Sequence, residues 1–373
     1  MSLMLPVDSA STRSITGVAD DLLTALTGAQ GNLRPCRSAV LIVVDGLGAL
    51  QLREHAGHAR WLSAGLGKKD TARSVTPTTT AAALTSLLTG VGPGRHGLVG
   101  YRVRDPESRA VVNVLSGWEE SRADPVQWQQ APTIFERASR DNHPTLAVGL
   151  PMYAGTGFSA ATLRGATFAG YKQPEERVAA AFAFAEAHEG ALVYCYLPEV
   201  DKAGHRYGVD SPQWRAALEQ IDAALDQRIP PGVGVLVTAD HGMIDVPAHR
   251  HLVIDEDDRM LDGVAALGGE PRFLHVYLEP DTDAEEALER WREGCGDFAE
   301  VMSREHTVRE GYWADLAMNV QDRIGHLVVA ARGRCALYDG REDPGPRGMI
   351  GQHGSLTPEE VLVPYIRRGT FAS

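Results

Sequence analysis

The chain has 373 residues, 43% of them hydrophobic, and a formal charge of −13 from 36 Lys and Arg against 49 Asp and Glu. That length predicts one large α/β domain with an insertion, or two domains, and the hydrophobic content supports a substantial core. An acidic chain without a basic run is a poor partner for a nucleic-acid backbone or an anionic membrane surface. An acidic enzyme acting on phosphates needs local positive charge, most simply from metal ions.

Taken in chain order, the first ten residues, MSLMLPVDSA, have neither the basic n-region nor the apolar h-region of a secretory leader. No apolar run approaches the ~18 residues of a membrane span. Cys36, Cys195, Cys295 and Cys335 are too far apart for a CxxC site. The expectation is a cytoplasmic protein with reduced thiols. The organised part opens with SAVLIVVDGLG, a β-branched apolar run that suits a buried parallel strand and leaves Asp45 at its carboxyl end. Strands are also expected at Thr145–Pro151, at Ala191–Asp201, ending in two acids, at Val233–Met243, ending near Asp240 and His241, and at Glu359–Arg368. Helical patterns fill Glu175–His188 and Ser211–Arg228. This alternation predicts an α/β fold: a mostly parallel central sheet with helices on both faces. Residues 1–248 and 347–373 are expected to form the core, and 249–346 an inserted α+β cap.

Sheets of this kind bind ligands at the carboxyl ends of their strands, where Asp45, Asp201 and Asp240 fall. DKAGH sets Asp201 and His205 four apart, on one face if the segment is helical. TADHGM sets Asp240 beside His241, and GQHGS isolates His353 just before the last strand. Carboxylate oxygen and imidazole nitrogen suit zinc, with manganese possible, and six donors are more than one tetrahedral ion takes. Two divalent ions fit the set better, and such a pair favours an in-line phosphoryl displacement on a small anionic substrate. The segment TPTTTAAALTSLLTG, Thr76–Gly90, places three threonines before a helix, where one is either a cap or a nucleophile.

The motifs VVDGLG, TPTTTAAALTSLLTG, GRHGLVGY, LPEVDKAGHRYG, TADHGM and GQHGS, in that order, resemble the alkaline phosphatase superfamily, and within it the type I phosphodiesterase / nucleotide pyrophosphatase family. The resemblance implies an alkaline phosphatase-like fold, a di-zinc site and a covalent phospho-threonine intermediate. It implies one metal held by Asp201, His205 and His353, and another by Asp45, Asp240, His241 and the nucleophile. Counting back from LLTG makes that nucleophile Thr80, with Thr79 the runner-up, while Thr78 and Thr79 otherwise serve as loop and capping residues. Phosphonoacetate hydrolases share this pattern, so carbon–phosphorus cleavage stays open, as do phosphomonoester hydrolysis and an inactive relative that only binds metal or a phospho-ligand. The family pattern also implies an asparagine three residues after the nucleophile, where this chain has Ala83. Tyr101 and Tyr153 are weaker candidates for substrate contact.

Overall fold

A strand that is apolar at every position needs cover on both faces, and Ser38–Val44 (β1) is buried at all seven positions. In the computed structural model, which describes residues 13–121 and 123–372, β1 lies in a seven-stranded sheet. Its partners are Thr71–Arg73 (β2), Thr145–Gly149 (β3), Thr167–Gly170 (β4), Leu192–Leu197 (β5), Val233–Thr238 (β6) and a late strand, Leu362–Gly369. Along the sheet the order is β2, the late strand, β6, β1, β5, β3, β4. The pairings of β1 with β5 and β6, and of β3 with β4 and β5, are parallel. Helices cover both faces, so β6 is also buried throughout.

The helices follow local signals. Thr80–Thr89 (α1) ends at Gly90, whose φ of 81° is the left-handed C-terminal stop that glycine allows. Pro174–Ala187 (α2) starts with proline at its first position and a Gln173–Glu176 capping box. Glu199–Tyr207 (α3) follows β5, and Pro212–Leu225 (α4) is capped by the Ser211 hydroxyl on the Trp214 N–H.

The expected strands are shorter than the apolar runs suggest: Val233–Met243 stops at Thr238 and Thr145–Pro151 at Gly149. The one at Ala191–Asp201 ends at Leu197, and its terminal acids lie in the first turn of α3. The one at Glu359–Arg368 begins with a helical turn, Pro358–Val361, closed by a Thr357–Glu360 capping box; the strand starts at Leu362 and runs antiparallel to β6.

Between them lies a second, antiparallel sheet of Val264–Glu270 (β7), Phe273–Leu278 (β8), Ala299–Ser303 (β9) and Leu327–Ala331 (β10), in the order β7, β8, β10, β9. Strand alternation divides its side chains. Leu274 and Val276 pack with Leu288 and Trp291 of Ala284–Cys295 (α5). Phe273, Val328 and Ala330 instead share a cluster with Ala81, Leu356 and Val361 of the main body. The four cysteines are free, and no described helix is long and apolar enough to cross a membrane.

A fully buried ion pair crosses this junction. Arg272 grips Glu360 with two bonds, Nε to Oε1 at 2.7 Å and Nη2 to Oε2 at 2.8 Å, and both side chains are fully buried. Glu360 also accepts from the Ser355 and Thr357 N–H groups and the Thr357 hydroxyl. Removing one partner strands a buried charge. Arg272→Met is therefore expected to cost about 3–5 kcal/mol in denaturant unfolding, and adding Glu360→Gln should recover part of the loss.

Candidate active site

Three adjacent parallel strands deliver the acids to one end of the sheet. Asp45 follows β1, Asp240 lies two residues beyond β6, and Asp201 sits in α3 just after β5. The turn after β1 requires glycine. Gly46 has φ +71°, and a Cβ there would lie 2.9 Å from the Asp201 Cα and Cβ, so a side chain would separate the two acids.

The histidines arrive by short connections. Asp201 Oδ1 and His205 Nε2 are 3.4 Å apart across one turn of α3. His353 follows the pairing of Gln352 with Ile244, which fastens its loop beside the segment carrying His241. Gly354 bridges to Thr78, tying the same loop to the threonines. The His353 ring stacks on His241 with centroids 3.6 Å apart and lies 5.1 Å from His205. Asp201, His205 and His353 each offer a ligand atom within 4.8 Å of the others, and so do Asp45, Asp201 and His241. Asp240 joins through Oδ2, 3.5 Å from His241 Nε2. The expected division put Asp201 in one set only; in the structure it offers a ligand atom within 4.8 Å of those of His205 and His353 and also of those of Asp45 and His241.

The donor chemistry fits divalent cations. Asp45 Oδ1, Asp201 Oδ1 and Asp240 Oδ2 are buried and accept no hydrogen bond. Three anionic oxygens without donors are costly unless a cation faces them. The Nδ1 atoms of His205, His353 and His241 lie on the carbonyls of Gly351, Thr78 and Gly242, at 2.8, 2.8 and 3.1 Å. If each Nδ1–H donates there, Nε2 keeps its lone pair for a metal, the usual outer-shell arrangement. Burial, then repulsion from Asp240 and Asp201, holds the Asp45 carboxyl well above the usual range, against a hydrogen bond from the Tyr196 hydroxyl. Burial, then His241 and His205, holds His353 well below the ordinary imidazole value.

The threonines separate clearly. Thr80, the first residue of α1, has Oγ1 3.1 Å from His241 Nε2. Thr78 is buried, donating to the Ser355 carbonyl and accepting from the Gly354 N–H. Thr79 is buried at the N-cap position, but its hydroxyl makes no capping bond, contrary to expectation. Ala83 lies wholly within the main core. The α1 face turned to the site is Thr80–Leu84–Leu88, and Ala83 is off it. Ala83 is three residues beyond Thr80 on α1, and its methyl offers no hydrogen-bond donor where the family pattern has an asparagine.

A cavity of about 140 Å³ opens beside Thr80. Tyr153 lines it, as does the pair Tyr194 and Tyr196. Sequence reasoning missed that pair; their i, i+2 spacing on the strand before Asp201 was the available signal. Lys202 Nζ lies 5.8 Å from the Tyr153 ring. Tyr101 does not line the cavity; its N–H donates to Glu270 Oε2, and its hydroxyl accepts from Asn113 Nδ2. Glu270, at the end of β7, was also missed. Its carboxyl is pushed up to about 8 by burial, and a Cβ on Gly354 would meet it.

This architecture and clustering define an α/β fold of the alkaline phosphatase type with a candidate metal centre at its strand ends. The sequence profile of the type I phosphodiesterase / nucleotide pyrophosphatase family matches residues 39–356, and the chain belongs to that family. An uncharacterized pyrophosphatase/phosphodiesterase of Schizosaccharomyces pombe is 24% identical over 185 residues, which is 46% of this chain and 37% of that relative's own length. Murine ectonucleotide pyrophosphatase / phosphodiesterase 5 superposes with a TM-score of 0.69 at 19% identity, covering 89% of this chain and 88% of the other. Phosphonoacetate hydrolase from Sinorhizobium meliloti, in complex with phosphonoacetate, has a TM-score of 0.69 at 20% identity, covering 90% and 91%.

A raised folded-state carboxyl favours the fold only while it is protonated. The Asp45 contribution is therefore present in acid and lost as pH rises through its raised value. In chelator-treated protein, Asp45→Asn is expected to raise Tm at pH values above the ordinary carboxylate range, because it removes a carboxyl whose ionisation burial, Asp240 and Asp201 oppose. The gap over wild type should shrink as pH falls toward the ordinary carboxylate range, as a thermal melt series will show.

Proposed function

We propose that the chain is a two-metal phosphoric ester hydrolase acting on small phosphodiesters or pyrophosphates, with Thr80 as nucleophile. The observation that carries this reading is the Thr80 hydroxyl, 3.1 Å from His241 Nε2 at the edge of three unpartnered carboxylate oxygens. Asp201, His205 and His353 would hold one ion, Asp45, Asp240 and His241 the other, with Asp201 reaching both. Zinc suits this donor set best, with manganese second. When bound, the ions supply Lewis acidity to the phosphoryl oxygens and favour the ionised hydroxyl.

Thr80 Oγ1 gives up its proton and attacks phosphorus; the new P–O bond forms as the bond to the departing alcohol or phosphate breaks, and that group leaves with the electron pair and takes up a proton from solvent. Water then attacks the phospho-threonine, the Thr80 Oγ1–P bond breaks, and the hydroxyl is restored. The first N–H groups of α1 have no helical acceptor, so the helix start offers donors to a phosphoryl oxygen near Thr80. Tyr196 orients Asp45 through its hydroxyl. His205 and His353 keep fixed ring orientations through the Gly351 and Thr78 carbonyls.

With zinc added, bis-p-nitrophenyl phosphate should be hydrolysed. A chelator should abolish turnover and zinc should restore it. Thr80→Ala should lower kcat by at least about 10³-fold while zinc content stays near wild type. Full activity in that variant, or turnover that survives chelation, would overturn the assignment. Phosphonoacetate run in parallel reports any carbon–phosphorus cleavage.

A further inference from the structure

The cavity beside Thr80 has a definite chemistry. Its inner wall is apolar: Leu84 and Leu88 from α1, Leu163, and the rings of Phe158 and Phe168. Its hydroxyls are largely spent on the protein itself. Ser159 Oγ donates to the Tyr153 carbonyl at 2.7 Å, and Thr162 Oγ1 to the Phe158 carbonyl at 2.8 Å. Thr156 Oγ1 lies within bonding distance of the Tyr153 carbonyl and Ser159 Oγ, and the Tyr196 hydroxyl is on Asp45. The two remaining phenols belong to Tyr153 and Tyr194. Their rings lie 5.8 and 6.3 Å from the ring of Tyr196, whose hydroxyl is on Asp45, so both stand on the side of the cavity toward the acids.

Size narrows the occupant. At about 140 Å³ the space is close to the ~150 Å³ of an apolar protein cavity that accepts benzene. A bicyclic purine is larger than benzene, and the polar edge of a nucleobase lying against Leu84, Leu88, Leu163, Phe158 and Phe168 would leave its own groups unpaired. Thr80 and Tyr196 line the cavity; His205 and His353 do not. It therefore adjoins the nucleophile, where the ester group retained on phosphorus would lie.

We propose that this cavity is the subsite for the retained ester group, and that it selects a single aryl ring or short alkyl chain over a nucleoside. The proposal rests on the phosphodiesterase reading above, and two measurements keep the failures distinguishable. The first compares kcat/KM of the zinc-loaded protein for p-nitrophenyl esters of methyl phosphate, phenyl phosphate and thymidine 5′-phosphate, which share one leaving group. The phenyl ester should exceed the methyl ester by about 10–200-fold, and the thymidine ester should not exceed it. Leu115→Trp, which fills the cavity from a loop, should bring the phenyl-to-methyl ratio toward one; Phe168→Ala, on the edge strand β4, should admit a naphthyl ester. Equal rates for phenyl and methyl, or a preference for thymidine, overturn the subsite. The second is calorimetric binding of phenylphosphonate against methylphosphonate, which needs no turnover. At least about tenfold tighter binding of phenylphosphonate supports the subsite even if no diester is hydrolysed, a result that would count against the catalytic reading alone; equal affinities overturn the subsite.

Discussion

Everything at the functional end of this protein depends on one electrostatic constraint. Asp45, Asp201 and Asp240 converge from three neighbouring strands, and one oxygen of each is buried without a hydrogen-bond donor. Such a cluster repels itself in a low-dielectric setting and is tolerable only opposite positive charge. His353 does not supply that charge, since burial and the neighbouring His241 and His205 hold it well below the ordinary imidazole value. Carbonyls fix the Nδ1 side of each ring and leave Nε2 facing the acids. Carboxylate oxygens without donors and imidazole nitrogens turned toward them form a donor set that suits divalent cations, and the Thr80 hydroxyl lies at its edge.

The antiparallel sheet bears on this centre indirectly. Its Arg272 holds Glu360, and Glu360 holds the Ser355 and Thr357 backbone, immediately after His353. From β7 of the same sheet, Glu270 packs against Gly354 and bonds the Tyr101 N–H. The loop carrying His353 is thus gripped from both sheets, while Gln352 and Gly354 tie it to the segments of His241 and Thr78. A ligand delivered by a loop becomes as fixed as one delivered by a strand, as a preorganised site requires.

Much of this was legible in the sequence because the signals were local. A β-branched run broken by Gly46 reads as a buried strand with Asp45 at its end, and the i, i+4 spacing of Asp201 and His205 needs only one helical turn. The family's motif order brought His353 and Thr80 into the set. What escaped depends on long-range packing. Tyr194 and Tyr196 read as ordinary core residues of β5 until the cavity is seen, and Arg272 with Glu360 are 88 residues apart. Five separate segments build the cavity wall, so no single motif encodes it.

The centre itself can be tested without any assumption about substrate. Chelator-stripped protein is dialysed against zinc, and bound metal is counted by mass spectrometry for wild type, Asp201→Asn and Asp240→Asn. A carboxylate shared by both clusters predicts two zinc ions per chain in the wild type, weakened binding of both in Asp201→Asn, and loss confined to one in Asp240→Asn. Fewer than two ions in the folded wild-type protein, or an Asp201→Asn variant that loses only one, would contradict it.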